Sequence, residues 1–337
     1  MATPPVSRPS PGPDRTGQRP LVIQTEQLDA EAHRWLAERC ELVVCPWDAS
    51  SPGGLHELLP RADGLLIRTY TRVDAALLDR APRLRVVARA GVGLDNVDLS
   101  ACAARGVTVV STPGANTRAV VELVTAFMLD ALRPRAFLDK SLDAPAWTKA
   151  RKDLTAPRQL SDLTLGIIGL GRVGSGVARV GAALDMRVVY CDLLDIPAAR
   201  RFGAEPASMD EVLSTADVIS VHVDGRKRNR GLIDAAALAR CKADAVLINT
   251  SRGMVVDAIA LADYLIRNKG AQALLDVHEP EPFGPAYPLL DLPNAHLSPH
   301  IGAATLAAHA NMSWVVRDLY RVLRGEAPEH PARPEPE

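Results

Sequence analysis

The sequence predicts a mixed α/β protein built from two doubly wound domains. Three observations carry that expectation. Short β-branched runs alternate with helical patterns in two separate series, as parallel sheets with crossover helices require. A glycine-rich turn stands at a strand-to-helix junction in the second series. The first 20 residues hold six of the 26 prolines and the last 12 hold four, beside almost no large apolar side chains. Such ends bury too little surface to offset their ordering entropy, so residues 1–19 and 326–337 are expected to be disordered tails. What remains is more than one ordinary core accommodates.

In the first series, Leu21–Gln24 reads as a strand and Asp29–Arg39 as a helix. Strands follow at Glu41–Cys45, Asp63–Ile67, Leu84–Ala88 and Val107–Val110, with helical composition at Val73–Arg80 and Leu99–Arg105. The long stretch Thr117–Arg133 breaks the rhythm. It is apolar on most faces and reads as a helix packed between domains or subunits. The second series has strands at Thr164–Ile168, Arg187–Cys191, Val218–Val221, Ala245–Ile248, Ala273–Asp276 and His296–Leu297. One amphipathic helix, Leu306–Leu323, closes it.

Composition narrows the class. Thirty-nine basic and 40 acidic residues leave no bulk positive charge, which excludes a polyanion binder and gives no basis for a nucleic-acid partner. The apolar run Ala119–Leu132 contains Glu122 and Asp130 and is too short to span a bilayer, so no membrane partner is expected. No apolar run precedes Leu21, so no secretory signal is read. Cys40, Cys45, Cys102, Cys191 and Cys241 are scattered, odd in number and without metal-ligand spacing. They read as buried apolar residues of a cytoplasmic protein without a metal.

The strongest local signal is Leu165-Gly-Ile-Ile-Gly169-Leu-Gly171-Arg172-Val173-Gly174. It follows a β-branched run and opens a helix, the context of a dinucleotide-binding Rossmann turn. Gly169 permits the tight turn, Gly171 the approach of a pyrophosphate, and Gly174 close helix–strand packing. The free N–H groups of the helix face the phosphates, and Arg172 adds a charge. The next strand ends at Asp192, 18 residues past Gly174, where a carboxylate takes the adenosine ribose hydroxyls and repels a 2′-phosphate. The expected cofactor is therefore NAD, in preference to NADP.

Three later segments stand at strand ends, where open α/β sheets bind ligands: Asn249-Thr250-Ser-Arg252-Gly253, Asp276-Val-His278-Glu279-Pro-Glu281-Pro282 and Ser298-Pro-His300-Ile-Gly302. Together they offer an Arg, a Glu and a His. Hydride transfer to a 2-oxo acid needs those groups. A planar cation suits the carboxylate. A donor titrating near neutrality suits the carbonyl oxygen as charge builds on it. A Glu orients that donor and raises its pKa.

With these motifs the sequence resembles the D-isomer-specific 2-hydroxyacid dehydrogenases over nearly all of residues 20–325. It is most similar to the phosphoglycerate dehydrogenase branch, in a short form without the regulatory C-terminal domain. The resemblance implies a catalytic Arg252, Glu281 (rather than Glu279) and His300. It implies cofactor contacts from Gly169, Gly171, Arg172, Val173, Gly174, Asp192, His222, Thr250 and Asp276. Gly91, Val92 and Gly93 resemble a loop whose amides hold the substrate carboxylate, with Arg252 facing the same group. Arg68 lies in a segment similar to one lining the substrate site, and either meets a distal anion or stands in solvent. The fold implied is a Rossmann NAD-binding domain, residues 117–300, inserted into a flavodoxin-like substrate domain made of residues 20–116 and 301–325. The chain crosses near Asn116 and near His300. A homodimer through the NAD-binding domain is implied as well.

There are departures. His222-Val-Asp224-Gly lacks the proline of the family's His-x-Pro-Leu and runs into the basic stretch Arg226–Arg230, which either neutralises an anion or is solvated. His222 reads as structural rather than catalytic. His278 replaces an aromatic and reads as a packing substitution. Ser111 replaces a common Asn. Two rivals stand beside a 2-hydroxyacid dehydrogenase of phosphoglycerate-like or phosphonate-bearing substrates. One is an NADH-sensing binding module on the same scaffold. The other is a dehydrogenase of another small anion, such as formate, phosphite or a phosphonate.

Overall fold

The computed structural model describes residues 18–45 and 54–334. The expected N-terminal tail, apart from Gln18 and Arg19, lies outside the described residues. The chain starts with β1 (Leu21–Gln24), β2 (Glu41–Val44), β3 (Gly64–Ile67), β4 (Val86–Arg89) and β5 (Thr108–Val110). It continues through β6 (Thr164–Ile168), β7 (Arg187–Cys191), β8 (Glu205–Pro206), β9 (Val218–Val221), β10 (Val246–Asn249), β11 (Gln272–Leu275) and β12 (Ala295–Leu297), and ends with β13 (Pro331–Ala332). The described residues before 117 and after 304 form one unit, and residues 117–304 the other.

The sheet of the first unit has the order β13-β5-β4-β3-β1-β2, all parallel except β13. Without β13 this is the flavodoxin-like order 2-1-3-4-5, which reverses direction between β1 and β3. Alternate side chains serve opposite layers, as a two-residue repeat demands. Val22, Leu66, Val86 and Ala88 pack with Ala32, Leu36, Val316, Leu319 and Leu323. Ile23, Leu65, Ile67 and Val87 pack with Leu77, Leu78 and Cys102 on the other side. Helix starts are set locally: the carboxylates of Asp29, Asp74 and Asp98 accept from backbone N–H groups at the first turns of Ala30–Ala37, Ala75–Asp79 and Leu99–Ala104.

The second unit has seven parallel strands in the order β12-β11-β10-β9-β6-β7-β8. Counted within the unit from β8, the first six strands run 3-2-1-4-5-6, the Rossmann order, with its reversal between β6 and β9. Leu165, Ile167, Val246 and Ile248 face the helices Thr117–Leu132 and Arg172–Ala183. Ile168, Ile219, Leu247 and Leu275 face the helices Met209–Thr215 and Ala258–Arg267. Gly166 is required by this packing, since a Cβ there would lie 2.7 Å from that of Ala216.

Three expectations are corrected. Residues 326–334 are ordered, although their composition predicts a tail. The buried Asp318 carboxylate accepts from the N–H groups of Glu329 and His330, each at 2.8 Å, and β13 pairs antiparallel with β5 through Pro331↔Val110 and Ala332↔Val109. Main-chain pairing supplies what the side chains lack, and proline is tolerated at this sheet edge. Asp318→Ala should cost about 3 kcal/mol, the scale of two hydrogen bonds to a charged acceptor. Thermal melts and faster amide exchange at Val109–Ser111 check it; an unchanged exchange pattern would contradict this anchoring role.

The expected single helix Leu306–Leu323 is two, Leu306–Ser313 and Val316–Leu323. The Ser313 hydroxyl donates to the carbonyl of His309 and accepts from the N–H of Asp29, so it competes for backbone groups and ends the first helix. Finally, the helix Ala144–Asp153 and strand β8 have no counterpart in the sequence reading. That helix has no buried residue, hence no apolar stripe to betray it.

Candidate active site

The glycine turn between β6 and the helix Arg172–Ala183 has the geometry that its residue types suggest. Gly169 has φ +92°, and a Cβ there would meet the His222 carbonyl oxygen at 2.8 Å. A Cβ on Gly174 would lie 2.1 Å from the Gly169 carbonyl oxygen, so helix and turn touch through bare backbone. Gly171 is extended and caps the helix, and a Cβ there would meet nothing within 4 Å. It faces open space beside the N–H groups of the first helical turn, which have no partner within a helix. Arg172 beside it is exposed.

The Asp192 carboxylate accepts from Leu170 N–H at 2.7 Å and from Leu194 N–H at 2.9 Å, which fixes it against this turn. The Thr250 hydroxyl oxygen is buried without a hydrogen-bond partner among the described residues. A buried orphan of this kind is costly unless a ligand satisfies it. His222 hydrogen-bonds Ser220 at 2.8 Å, and burial pushes its imidazole down to about 3, so it is neutral at neutral pH and is no proton donor. Open space at Gly171, the placed carboxylate and the orphaned hydroxyl all fit a dinucleotide.

The carboxyl ends of β10, β11 and β12 are neighbours because these strands are adjacent and parallel. Arg252 follows β10. Asn249 shapes that turn by accepting from the Ser251 N–H at 3.0 Å and donating to the Arg252 carbonyl at 3.0 Å. The backbones of the Arg252 and His278 segments are pressed together, so that a Cβ on Gly253 would fall 2.0 Å from the His278 carbonyl.

Glu281 reaches His300: its Oε2 lies 2.7 Å from His300 Nδ1, and its Oε1 accepts from the His278 N–H at 2.6 Å. Glu279, the other candidate carboxylate, forms a two-pronged pair with Arg230 at 2.6 and 2.8 Å. Arg230 and Arg226 of the basic stretch are therefore engaged, Arg226 with Asp224 at 2.9 Å, while Lys227 and Arg228 are exposed.

The electrostatics follow from this pairing. The Glu281 carboxylate raises the His300 pKa, with burial and the Arg252 charge acting against it. Burial works to raise Glu281, but hydrogen bonds from His300 and from the His278 N–H outweigh it and hold the carboxyl below its ordinary value. The pair stabilises the fold in a window. Its His300 part is complete below the unfolded imidazole pKa and fades as pH rises through the raised folded value. Its Glu281 part is present above the unfolded carboxylate pKa and fades as pH falls through the lowered one.

His300 has φ +55°, a left-handed conformation that is strained for this residue type. Asp276 holds it there. Its carboxylate, 1% exposed, accepts from the Ser298 hydroxyl and from the N–H groups of Ile301 at 2.8 Å and Gly302 at 2.7 Å. Asp276, which the family resemblance assigns to the cofactor, thus also clamps the His300 segment, and its place at a strand end is the sequence signal for that role. His278 packs edge-on against Phe283 and Tyr287, and its Nε2 donates to the Ser298 carbonyl at 2.9 Å.

In the first unit, Arg68 follows β3 and Arg89 ends β4. The Arg89 side chain passes over Gly91, where a Cβ would fall 1.6 Å from its Nη1. Val92 is exposed and Gly93 half-buried. Arg68 meets His309, which the sequence reading did not single out.

Comparison with known proteins places the chain. Residues 125–302 match the family described as "D-isomer specific 2-hydroxyacid dehydrogenase, NAD binding domain". A D-3-phosphoglycerate dehydrogenase of Mycobacterium leprae is 38% identical over 310 residues, covering 91% of this chain and 57% of that protein. The chain thus spans little more than half the length of such relatives. A glyoxylate reductase of Aeropyrum pernix is 34% identical over 320 residues, covering 92% of this chain and 95% of that one. Among solved structures, the D-lactate dehydrogenase from Aquifex aeolicus, complexed with NAD and lactic acid, superposes with a TM-score of 0.78 at 26% identity, over 91% of this chain and 96% of that chain. No helix among the described residues is long and apolar enough to cross a membrane.

Proposed function

The chain belongs to the D-isomer-specific 2-hydroxyacid dehydrogenase family, and from that premise we propose that it moves a hydride between NAD and a small 2-oxo or 2-hydroxy acid. The observation that carries this reading is the 2.7 Å contact between His300 and Glu281, with the Arg252 charge beside it. NADH, when bound, supplies the hydride. Its pyrophosphate is assigned to the Gly169–Gly174 turn, its ribose to Asp192 and a further hydrogen bond to the orphaned Thr250 hydroxyl. Arg252 holds the acid's carboxylate, as only a planar cation does with two parallel bonds.

Because Glu281 occupies Nδ1, the proton that reaches the carbonyl oxygen leaves from Nε2 of His300. The carboxylate orients the ring and stabilises its protonated form. The reductive rate should therefore fall as pH rises through the raised His300 pKa. In Glu281→Gln that fall should move to lower pH, toward the ordinary imidazole value of about 6.5. A pH profile that stays in place would remove Glu281 from this role.

The dimer and the compartment belong to the same proposal. Phe137 is 90% exposed and Trp147 51%, on a segment whose helix buries none of its own side chains, which supports pairing with a second copy through the NAD-binding unit. Five free cysteines support a reducing cytoplasm, and burial pushes the thiols of Cys40, Cys102, Cys191 and Cys241 up to about 11.

The test is NADH oxidation against a panel of 2-oxo acids, some bearing a phosphate or phosphonate. Turnover is expected, with NADPH disfavoured roughly a hundredfold by the like charge of Asp192. Tight NADH binding without turnover on any acid, or on formate or phosphite, would point instead to a dinucleotide-sensing module.

A further inference from the structure

Three separate segments of the second unit carry Arg252, Glu281 and His300, and one residue, His278, touches all of them. The backbone of Gly253, next to Arg252, presses on the His278 carbonyl, where a Cβ on the glycine would fall 2.0 Å from the oxygen. The N–H of His278 donates to Glu281 Oε1 at 2.6 Å. Its ring Nε2 donates to the carbonyl of Ser298 at 2.9 Å, two residues before His300.

That carbonyl is the informative atom, because it also accepts from the N–H of His300 at 3.1 Å. The contacts therefore close a ring. It runs from the His278 N–H to Glu281, and from Glu281 to His300 Nδ1 at 2.7 Å. It returns from the His300 N–H to the Ser298 carbonyl, and from there to the His278 side chain. The rest of Ser298 is held by the end of β11: its N–H donates to the Leu275 carbonyl at 2.9 Å and its hydroxyl to Asp276. The peptide that follows is held differently. Pro299 has no N–H, so the plane of this peptide is set through the Ser298 oxygen. Among the described residues, His278 supplies the side chain that reaches that oxygen. The same peptide leads into His300, whose φ is +55°.

The partners also fix the tautomer. A carbonyl only accepts, so Nε2 of His278 carries the hydrogen. Nδ1 of the neutral ring is then an acceptor, and the Tyr287 hydroxyl, 3.3 Å away, donates to it. Phe283 and Tyr287 meet the ring edge-on, with centroids 4.7 and 5.5 Å from its own. A phenylalanine would keep this packing and lose the donor, so packing alone does not account for an imidazole here.

We propose that His278 is a positioning residue for proton transfer: its Nε2–H fixes the Ser298–Pro299 peptide and so keeps the His300 ring on Glu281. Its part in a reaction rests on the function proposed above, whereas the closed ring of hydrogen bonds does not. His278 acts through His300 and exchanges no proton with the substrate.

Two variants of the full chain separate donor from packing. His278→Phe keeps the aromatic contacts and removes the donor. His278→Gln sets an amide N–H near the place of Nε2 and cannot titrate. In His278→Phe, kcat for reduction of a 2-oxo acid should fall roughly ten- to a hundredfold, the scale of a misplacement of about 1 Å. The KM of the acid and the dissociation constant of NADH should stay where they were. The fall of rate with rising pH should move to lower pH, because a ring displaced from Glu281 loses the contact that raises its pKa. Asp276 and Arg252, the other charges that act on His300, are the same in both variants. His278→Gln should restore most of kcat and the pH profile. A wild-type profile in His278→Phe overturns the proposal. So does a glutamine variant as impaired as the phenylalanine one, since ring shape and not the donor would then matter.

Two further measurements need no turnover. In NMR spectra of the histidine-labelled chain, assigned with His300→Asn, the His300 titration midpoint should fall in His278→Phe and stay in place in His278→Gln. In the wild type, in mildly alkaline buffer, the His278 ring should carry its hydrogen on Nε2. A ring with the hydrogen on Nδ1 overturns the proposal whether or not the phenylalanine variant folds. If no 2-oxo acid turns over, the dehydrogenase reading fails, and these spectra still decide whether His278 positions His300.

Discussion

His300→Asn should lower turnover of a 2-oxo acid by roughly 10²–10⁴-fold, the contribution of one positioned proton donor. The dissociation constant of NADH should stay where it was. Asparagine is the right replacement because the backbone at this position is left-handed, with φ +55°, and asparagine adopts that conformation at little cost. Loss of activity then reports the missing imidazole and not a refolded loop. The Asp276 carboxylate still holds the N–H groups of Ile301 and Gly302, so the segment keeps its path. Single-turnover absorbance of NADH separates the two readouts. A variant with full turnover would take His300 out of the mechanism.

Two glycines three residues apart should fail in different ways. In Gly174→Ala the new methyl falls 2.1 Å from the Gly169 carbonyl oxygen, so the turn or the helix must shift. The expected cost is about 3 kcal/mol of stability, the upper range for overpacking, together with loss of NADH binding. In Gly171→Ala the methyl meets no protein atom within 4 Å, so stability should change by less than about 0.5 kcal/mol. Yet that methyl enters the space assigned to the pyrophosphate, and NADH affinity should collapse. Thermal melts paired with fluorescence titration distinguish them. Undiminished NADH binding in Gly171→Ala would mean that the cofactor does not approach this turn.

The sequence was legible where chemistry is local. β6, β7 and β9 begin and end where the β-branched runs do, because Gly169, Asp192 and His222 close them at once. Alternation pointed to parallel sheets but not to β8 or β13, and the strand orders are those of the Rossmann and flavodoxin-like folds that the family resemblance implies. The Arg, Glu and His segments sit at the ends of adjacent parallel strands, and family spacing singled out Glu281 from Glu279, two residues apart in sequence; the first contacts His300 and the second Arg230.

What stayed hidden depends on distant partners. Nothing near Pro331 announces a strand, since its partner is Val110 and its anchor Asp318. Nothing near Ser313 announces a helix end, since the hydroxyl that competes for the His309 carbonyl is held by the N–H of Asp29, far off in sequence. His309 looks like any helical histidine until Arg68 arrives from the other end of the chain.

The discontinuity of the first unit has a consequence for how the protein is made. Residues 117–304 are contiguous and can collapse as soon as they are synthesised. The unit before them is short of one face of its sheet until Val316, Leu319 and Leu323 arrive, and short of an edge until β13 does. At about 5–20 residues per second, the intervening segment takes about 10–40 s to translate. During that interval Val22, Leu66, Val86 and Ala88 lack their final cover. The N-terminal segment is thus the natural client of holding chaperones. A truncated chain ending at residue 304, freed from the ribosome, should keep a folded second unit while its first unit is protease-sensitive.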